Sequence, residues 1–106
     1  MKYRELYAVL ENRRRSAPGF QYDDRSGWRN PISYIDYIRP LWIIAVDPAA
    51  GWRIWIIHEG RDMIIKVREM DAQGHNVKTL QCIYCKTKTE LAERLRRLFS
   101  QETTAA

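Results

Sequence analysis

Apolar and polar residues alternate with a period of two through the middle of the chain. Four apolar, β-branched runs occupy residues 41–46, 52–58, 63–70 and 77–84, and clusters rich in Asp, Pro, Gly and Gln separate them. Alternation of this kind between turn residues is typical of half-buried strands that pair in chain order. The pattern predicts a four-stranded antiparallel meander.

The parity of the last three runs divides the predicted sheet into two faces, because successive side chains of a strand point to opposite sides. The predicted core face carries Trp52, Ile54, Ile56, Met63, Ile65, Val67, Leu80, Cys82 and Tyr84. The second face is basic, aromatic and polar, and carries Arg53, Trp55, Ile57, Ile64, Lys66, Arg68, Thr79, Gln81 and Ile83. This second face is expected to meet either solvent or a partner. The first run is apolar on both parities, which predicts cover on both of its faces.

Helical patterns flank the strands. Apolar residues recur at helical spacing between residues 3 and 10 and predict a first helix over about residues 3–14. Near the other end, Thr87 and Glu90 have the spacing of a capping box, and an apolar stripe follows them. This predicts a C-terminal helix on the core face, with a frayed tail over about residues 101–106.

A long polar and aromatic connection joins the first helix to the strands. Asn30 followed by Pro31 is typical of a helix start, and Pro40 closes the segment, so a short helix over residues 31–38 is predicted. The alternative is an extra edge strand, since Ile and Tyr also suit extended structure. Together the patterns predict one small α+β domain over residues 1–106.

The net charge of +5 lies on the segments that flank the sheet, since residues 41–84 are neutral overall. Such an excess favours encounter with anionic partners. The longest apolar run is far shorter than the ~20 residues that a membrane-spanning helix needs, and the N-terminal residues do not resemble a secretory signal. With only two cysteines, the chain is expected to be cytoplasmic.

Residues that could support catalysis or metal binding are few. Cys82 and Cys85 form a C-x-x-C ahead of a helix, where a thiol can be activated, but no βαβ unit precedes them. Adding His58 and His75 gives four potential zinc ligands at a spacing unlike that of known zinc sites. We therefore expect no cofactor, no metal and no catalytic residue, and thus a protein that is not an enzyme.

Arginine and aromatic residues form three groups that could contact a partner. Tyr, Trp and Arg are enriched among the residues that dominate binding energy at interfaces. The first group is the run Arg13, Arg14 and Arg15, which has a single acidic residue nearby and is the densest unpaired charge in the predicted fold. The other two are the sheet-face group Arg53, Trp55, Lys66 and Arg68 and the loop pair Trp28 and Arg29.

These patterns predict a non-enzymatic binding or regulatory protein that occupies the surface of a partner protein. A sequence-tolerant nucleic-acid-binding protein is the alternative, because aromatic and cationic residues on one sheet face can stack bases and hold phosphates. A small-ligand binder with a Trp-lined cleft is the third hypothesis. The sequence leaves the oligomeric state open, a dimer included.

Overall fold

The computed structural model describes residues 3–27 and 40–105 and has the predicted α+β architecture. Its elements are α1 (Arg4–Ser16), β1 (Gln21–Asp24), β2 (Trp42–Asp47), β3 (Trp52–Glu59), β4 (Asp62–Met70), β5 (Asn76–Cys85) and α2 (Lys88–Ala105). The antiparallel sheet and the two flanking helices are confirmed. The segment 31–38, for which we predicted a helix or an edge strand, lies outside the described residues.

The sheet has five strands, so the predicted count of four is wrong. The additional strand, β1, pairs antiparallel with β2, with Gln21 opposite Val46 and Asp24 opposite Ile43. Strand order follows chain order, β1-β2-β3-β4-β5, and every neighbouring pair is antiparallel. β1 and β5 are therefore the two edges of the described sheet.

Both helices pack on one face of the sheet and bury it. Leu6 and Leu10 of α1 and Leu95 of α2 are fully buried in one cluster with Ile54 and Ile65 of the central strands. Each such side chain stabilises the fold by roughly 1.5–3 kcal/mol through removal of apolar area from water. The predicted apolar stripe of α2 is confirmed, since all of its members are buried.

The capping box at the start of α2 is present in modified form. The Thr87 hydroxyl accepts a hydrogen bond from the backbone N–H of Glu90 at 3.0 Å. The Glu90 carboxylate reaches back one residue further than usual and accepts from the N–H of Lys86 at 2.6 Å. At its other end α2 continues to Ala105, through residues for which we predicted a frayed tail.

The predicted faces of the last strand are wrong. Ile83 and Cys85 of β5 are buried on the core face, whereas Leu80, Cys82 and Tyr84 are exposed. The register explains the reversal, because it shifts by one residue between Val67 and Arg68 of β4. A shift of one residue moves every following side chain to the other face of the sheet.

Candidate binding surface

Arg13 does not lie on the surface, in contrast to the prediction that it is an unpaired charge. Its Nε donates to Oδ2 of Asp47 at 2.8 Å, and the two side chains are 8% and 0% exposed. The guanidinium carbon also lies 4.9 Å from the centroid of the Phe99 ring. Arg13 continues the core-facing stripe of Leu6 and Leu10, and this spacing is the sequence signal for its burial.

The other two arginines of the run point in other directions. Arg14 pairs with Glu11, with 2.8 Å between Nη2 and Oε1, so the prediction that it is unpaired is also wrong. Arg15 is exposed near the end of α1. Since successive residues of a helix differ by about 100° in direction, the run does not form one cationic patch.

The predicted sheet-face group is brought together on the face opposite the helices. Arg53 lies opposite Arg68, and Trp55 lies opposite Lys66. All four side chains are half-buried. The Arg68 guanidinium lies over the Trp55 ring, with 5.6 Å between its carbon and the ring centroid, and the Trp42 ring contacts Trp55 at 6.1 Å. The Trp55 ring is thus occupied by neighbours in the same sheet.

The loop pair Trp28 and Arg29 lies outside the described residues. Whether these two residues, Arg15, or the sheet-face group contact a partner stays a prediction.

Two tyrosine–carboxylate pairs tie α1 to β1 on the core-face side. The Tyr7 hydroxyl donates to Asp24 and the Tyr22 hydroxyl donates to Glu11, at 2.5 and 2.6 Å. Burial, together with these hydrogen bonds, raises the pKa of each tyrosine to about 12. The hydrogen bond from Arg14 and that from Tyr22 lower the pKa of Glu11 to about 2. These hydrogen bonds join α1 to β1 through two tyrosines and two carboxylates.

The exposed large apolar side chains of residues 3–27 and 40–105 are concentrated on one strand. All of them belong to β5: Val77 is 58% exposed, Leu80 43% and Tyr84 59%. Isolated apolar residues are common on protein surfaces, but several of them on one edge strand are a feature that natural sheets normally avoid. This surface was not predicted, because alternation along the sequence placed Leu80 and Tyr84 on the core face.

The backbone of β5 is also directed outward at this edge. In an antiparallel sheet, alternate residues bond to alternate neighbouring strands. The N–H of Met70 donates to the carbonyl oxygen of Gly51 at 2.9 Å, which sets the phase of the β3–β4 pair. Even-numbered residues of β4, such as Met70, therefore bond to β3, and odd-numbered ones, such as Ile65, bond to β5. Because Ile65 lies opposite Ile83, the N–H and C=O of Ile83 point towards β4, and those of Cys82 point away from the sheet.

The two thiols are free and lie on opposite faces of β5. Cys82, predicted to lie on the core face, is exposed, whereas Cys85 is fully buried. Burial raises the pKa of the Cys85 thiol. The exposed thiol of Cys82 thus lies on the edge strand, contrary to its predicted place in the core.

A recess of about 400 Å³ lies between α1 and α2, where Val9 and Phe99 form its apolar part and Arg13 and Arg96 its basic part. Both arginines already have carboxylate partners, Arg13 in Asp47 and Arg96 in Glu93. The charge of the recess is thus largely compensated. Among the residues that the structure describes, its lining includes no tryptophan, unlike the cleft that the sequence predicted for a small ligand.

The described part of the chain has no group of three or more His, Cys, Asp or Glu side chains arranged to hold a metal ion. Nor does any helix in it combine the length and apolar character required to cross a bilayer. Comparison with family models, with curated proteins and with solved structures finds no match to this chain. The fold and the surface together define a small α+β domain in which β5, an edge strand of the described sheet, carries exposed apolar side chains.

Proposed function

We propose that this chain is a non-enzymatic protein-binding domain that holds an extended segment of a partner protein against the edge strand β5. The observation that carries the proposal is the concentration of exposed apolar side chains on β5, beside outward-directed backbone groups of the same strand. An extended segment that adds to a sheet edge gains affinity from main-chain hydrogen bonds and specificity from alternate side chains.

The regular part of the edge is long enough for such an addition. Between Gln81 and Cys85 the pairing with β4 has a constant register, and the irregularities lie before it, towards Val77. Bulges of this kind twist an edge away and limit uncontrolled pairing. The opposite edge, β1, has only four residues and no buried one, so it offers less for a partner to pair with.

The energies are sufficient for a moderate affinity. Full burial of a large apolar side chain by a partner contributes roughly 1.5–3 kcal/mol. Leu80 and Tyr84 are each about half exposed, so together they supply roughly 1.5–3 kcal/mol beyond the main-chain bonds. Loss of both is therefore expected to weaken binding by a factor of about 10 to 100.

The nucleic-acid alternative has less support from the geometry. A stacking platform needs an exposed aromatic ring on which a base can lie. The Trp55 ring is half-buried, and Trp42 and Arg68 lie against it. A protein partner is favoured for that reason.

The proposal can be tested without knowledge of the natural partner. Random twelve-residue peptides are displayed on phage and selected against the native chain, and the affinities of the recovered peptides are measured for two variants. The first variant, Leu80→Lys with Tyr84→Lys, places cations on the open edge. The matched control, Ala8→Lys with Ala49→Lys, adds the same charge at two other exposed positions.

We expect the edge variant to lose binding and the control to retain it, with similar thermal unfolding of both. Recovered peptides that bind the edge variant as tightly as the native chain would overturn the proposal. A pull-down from lysate with and without nuclease separates the alternatives, since capture that depends on nucleic acid would favour the second hypothesis.

A further inference from the structure

A small recess lies beside β5 on the side of α2. Its volume is about 200 Å³, and its lining consists of Gln81, Ile83, Arg94, Arg97, Leu98 and Gln101. The two β5 residues lie on the core face, so the recess opens at the sheet edge beneath any strand that adds to β5. It is the part of the edge where charge rather than apolar surface dominates.

The positive charge of the recess is only partly compensated. Arg97 is 66% exposed and shares the Glu93 carboxylate with Arg96. The sequence pairs Arg94 with Glu90 at the favourable spacing of four residues. In the structure Glu90 instead accepts from the backbone at the helix start, and no ion pair of Arg94 is found among residues 3–27 and 40–105.

We infer that the recess binds carboxylate side chains, and that the segment which adds to β5 is acidic. This inference rests on the proposed function. Residues of an added strand that lie opposite Gln81 and Ile83 share the face of those residues. Aspartate or glutamate at these alternate positions lies beside the guanidinium groups of Arg94 and Arg97. The residues between them share the other face with Cys82 and Tyr84, and are apolar.

A second copy of this chain is a poorer occupant of the same edge. Pairing of β5 with β5 about a twofold axis would bring the cationic recesses of both copies to one interface. Each copy also carries a net charge of +5. Like charges placed together at an interface oppose association, whereas an acidic segment is attracted to it.

Three peptides of eleven residues test the inference. In all three, valine occupies every other position, and the intervening positions are glutamate, glutamine or lysine; each has a polyethylene glycol tail for solubility. Binding is measured by titration calorimetry, and the site is located by amide exchange at Cys82. We expect the glutamate peptide to bind about tenfold more tightly than the glutamine peptide, since each exposed ion pair contributes up to a factor of about five.

Variants of α2 distinguish the effect of the recess on binding from the effect of the protein's net charge. The double variant Arg94→Glu with Arg97→Glu should reverse the order, so that the lysine peptide binds best. The milder Arg94→Gln should weaken the glutamate peptide about two- to fivefold and cannot unfold the helix through charge. The single variant Arg94→Glu should also weaken the glutamate peptide. Its matched control is Arg61→Glu, because Arg61 is exposed between β3 and β4 and lines neither recess.

The outcomes distinguish the two proposals. Equal binding of all three peptides, with protection of the Cys82 amide, would overturn the acidic preference and leave strand addition standing. Binding of none of them, while selected peptides do bind, would also overturn the acidic preference. If Arg61→Glu weakened the glutamate peptide as much as Arg94→Glu, the preference would come from net charge and the recess would have no role. Tight binding without protection at Cys82 would contradict strand addition itself.

Discussion

Removal of one partner from the buried ion pair Arg13–Asp47 should be among the most destabilising single changes in this protein. The substitution Asp47→Asn keeps the shape of the side chain and its place in the turn, where Oδ1 accepts from the N–H of Ala50. It leaves the Arg13 charge buried with no counterion. Breaking a buried pair in this way costs about 3–5 kcal/mol, which is a large part of the ~5–15 kcal/mol that stabilises a domain.

The chain supplies a matched control for this experiment. Arg25 and Asp23 form an ion pair with the same 2.8 Å separation between Nε and Oδ2, but their side chains are 39% and 56% exposed. An exposed pair contributes about 0–1 kcal/mol, so Asp23→Asn should change stability by less than that. The residue types, the distance and the substitution are the same, while the burial of the two pairs differs widely.

The assay is urea unfolding followed by tryptophan fluorescence, with linear extrapolation to water. The single variant Arg13→Met and the double variant Arg13→Met with Asp47→Asn complete the cycle. The double variant should be more stable than Asp47→Asn alone, because it removes the unpaired charge. That comparison holds even if the single variant is largely unfolded. A cost below 1 kcal/mol for Asp47→Asn, or a double variant whose cost is the sum of the two single ones, would refute the reasoning.

Three further predictions follow from burial. Leu95→Ala, on the core-facing stripe of α2, should lower the free energy of unfolding by about 2–5 kcal/mol, and a loss under 1 kcal/mol in urea would contradict the packing. A thiol reagent should modify Cys82 in the native chain and Cys85 only on unfolding, as counted by mass spectrometry; equal rates would place both on the surface. Because folding raises the pKa of Tyr7 and Tyr22 to about 12, their contribution to stability is complete below about pH 10 and is lost as the pH rises towards 12. Ultraviolet titration of the folded chain should show these two groups ionising late, and normal ionisation would refute the paired geometry.

Much of the fold is predictable from the sequence because its strongest patterns are local. Four strands and both helices follow from period-two and helical alternation, which reflect burial of one face of each element. β1 was not predicted, because its four residues are mainly polar and only Tyr22 is partly buried. A short edge strand is defined by its hydrogen bonds to a neighbour, and these leave little trace in composition.

The predicted faces of β5 show how a single irregularity changes a surface. If the register that places Arg68 opposite Thr79 continued, Val67 would lie opposite Leu80, and Leu80 would face the core as predicted. The irregularity inserts one residue at this point, and the following residues change sides. Alternation in a sequence reveals two faces, but which of them is buried depends on the pairing with the next strand.

The candidate site is the part that sequence analysis located least well. The arginine run was selected for its density of charge, but the position of Arg13 on the helix directs it towards Asp47, which is 34 residues away in the chain. A buried ion pair of this kind depends on tertiary contacts and not on local pattern. The open edge was missed for the related reason that its apolar residues resemble core residues in sequence.

The central claim is that the backbone groups of β5 that point away from β4 become paired when a partner binds. Amide hydrogen exchange at two adjacent residues, measured by NMR, tests it most directly. In the free chain, the N–H of Ile83, directed towards β4, should exchange slowly, and the N–H of Cys82 should exchange near the rate of an unprotected amide. A peptide selected for binding should then slow exchange at Cys82 and leave Ile83 unchanged. Protection of Cys82 in the free chain, or no change on binding, would contradict the account.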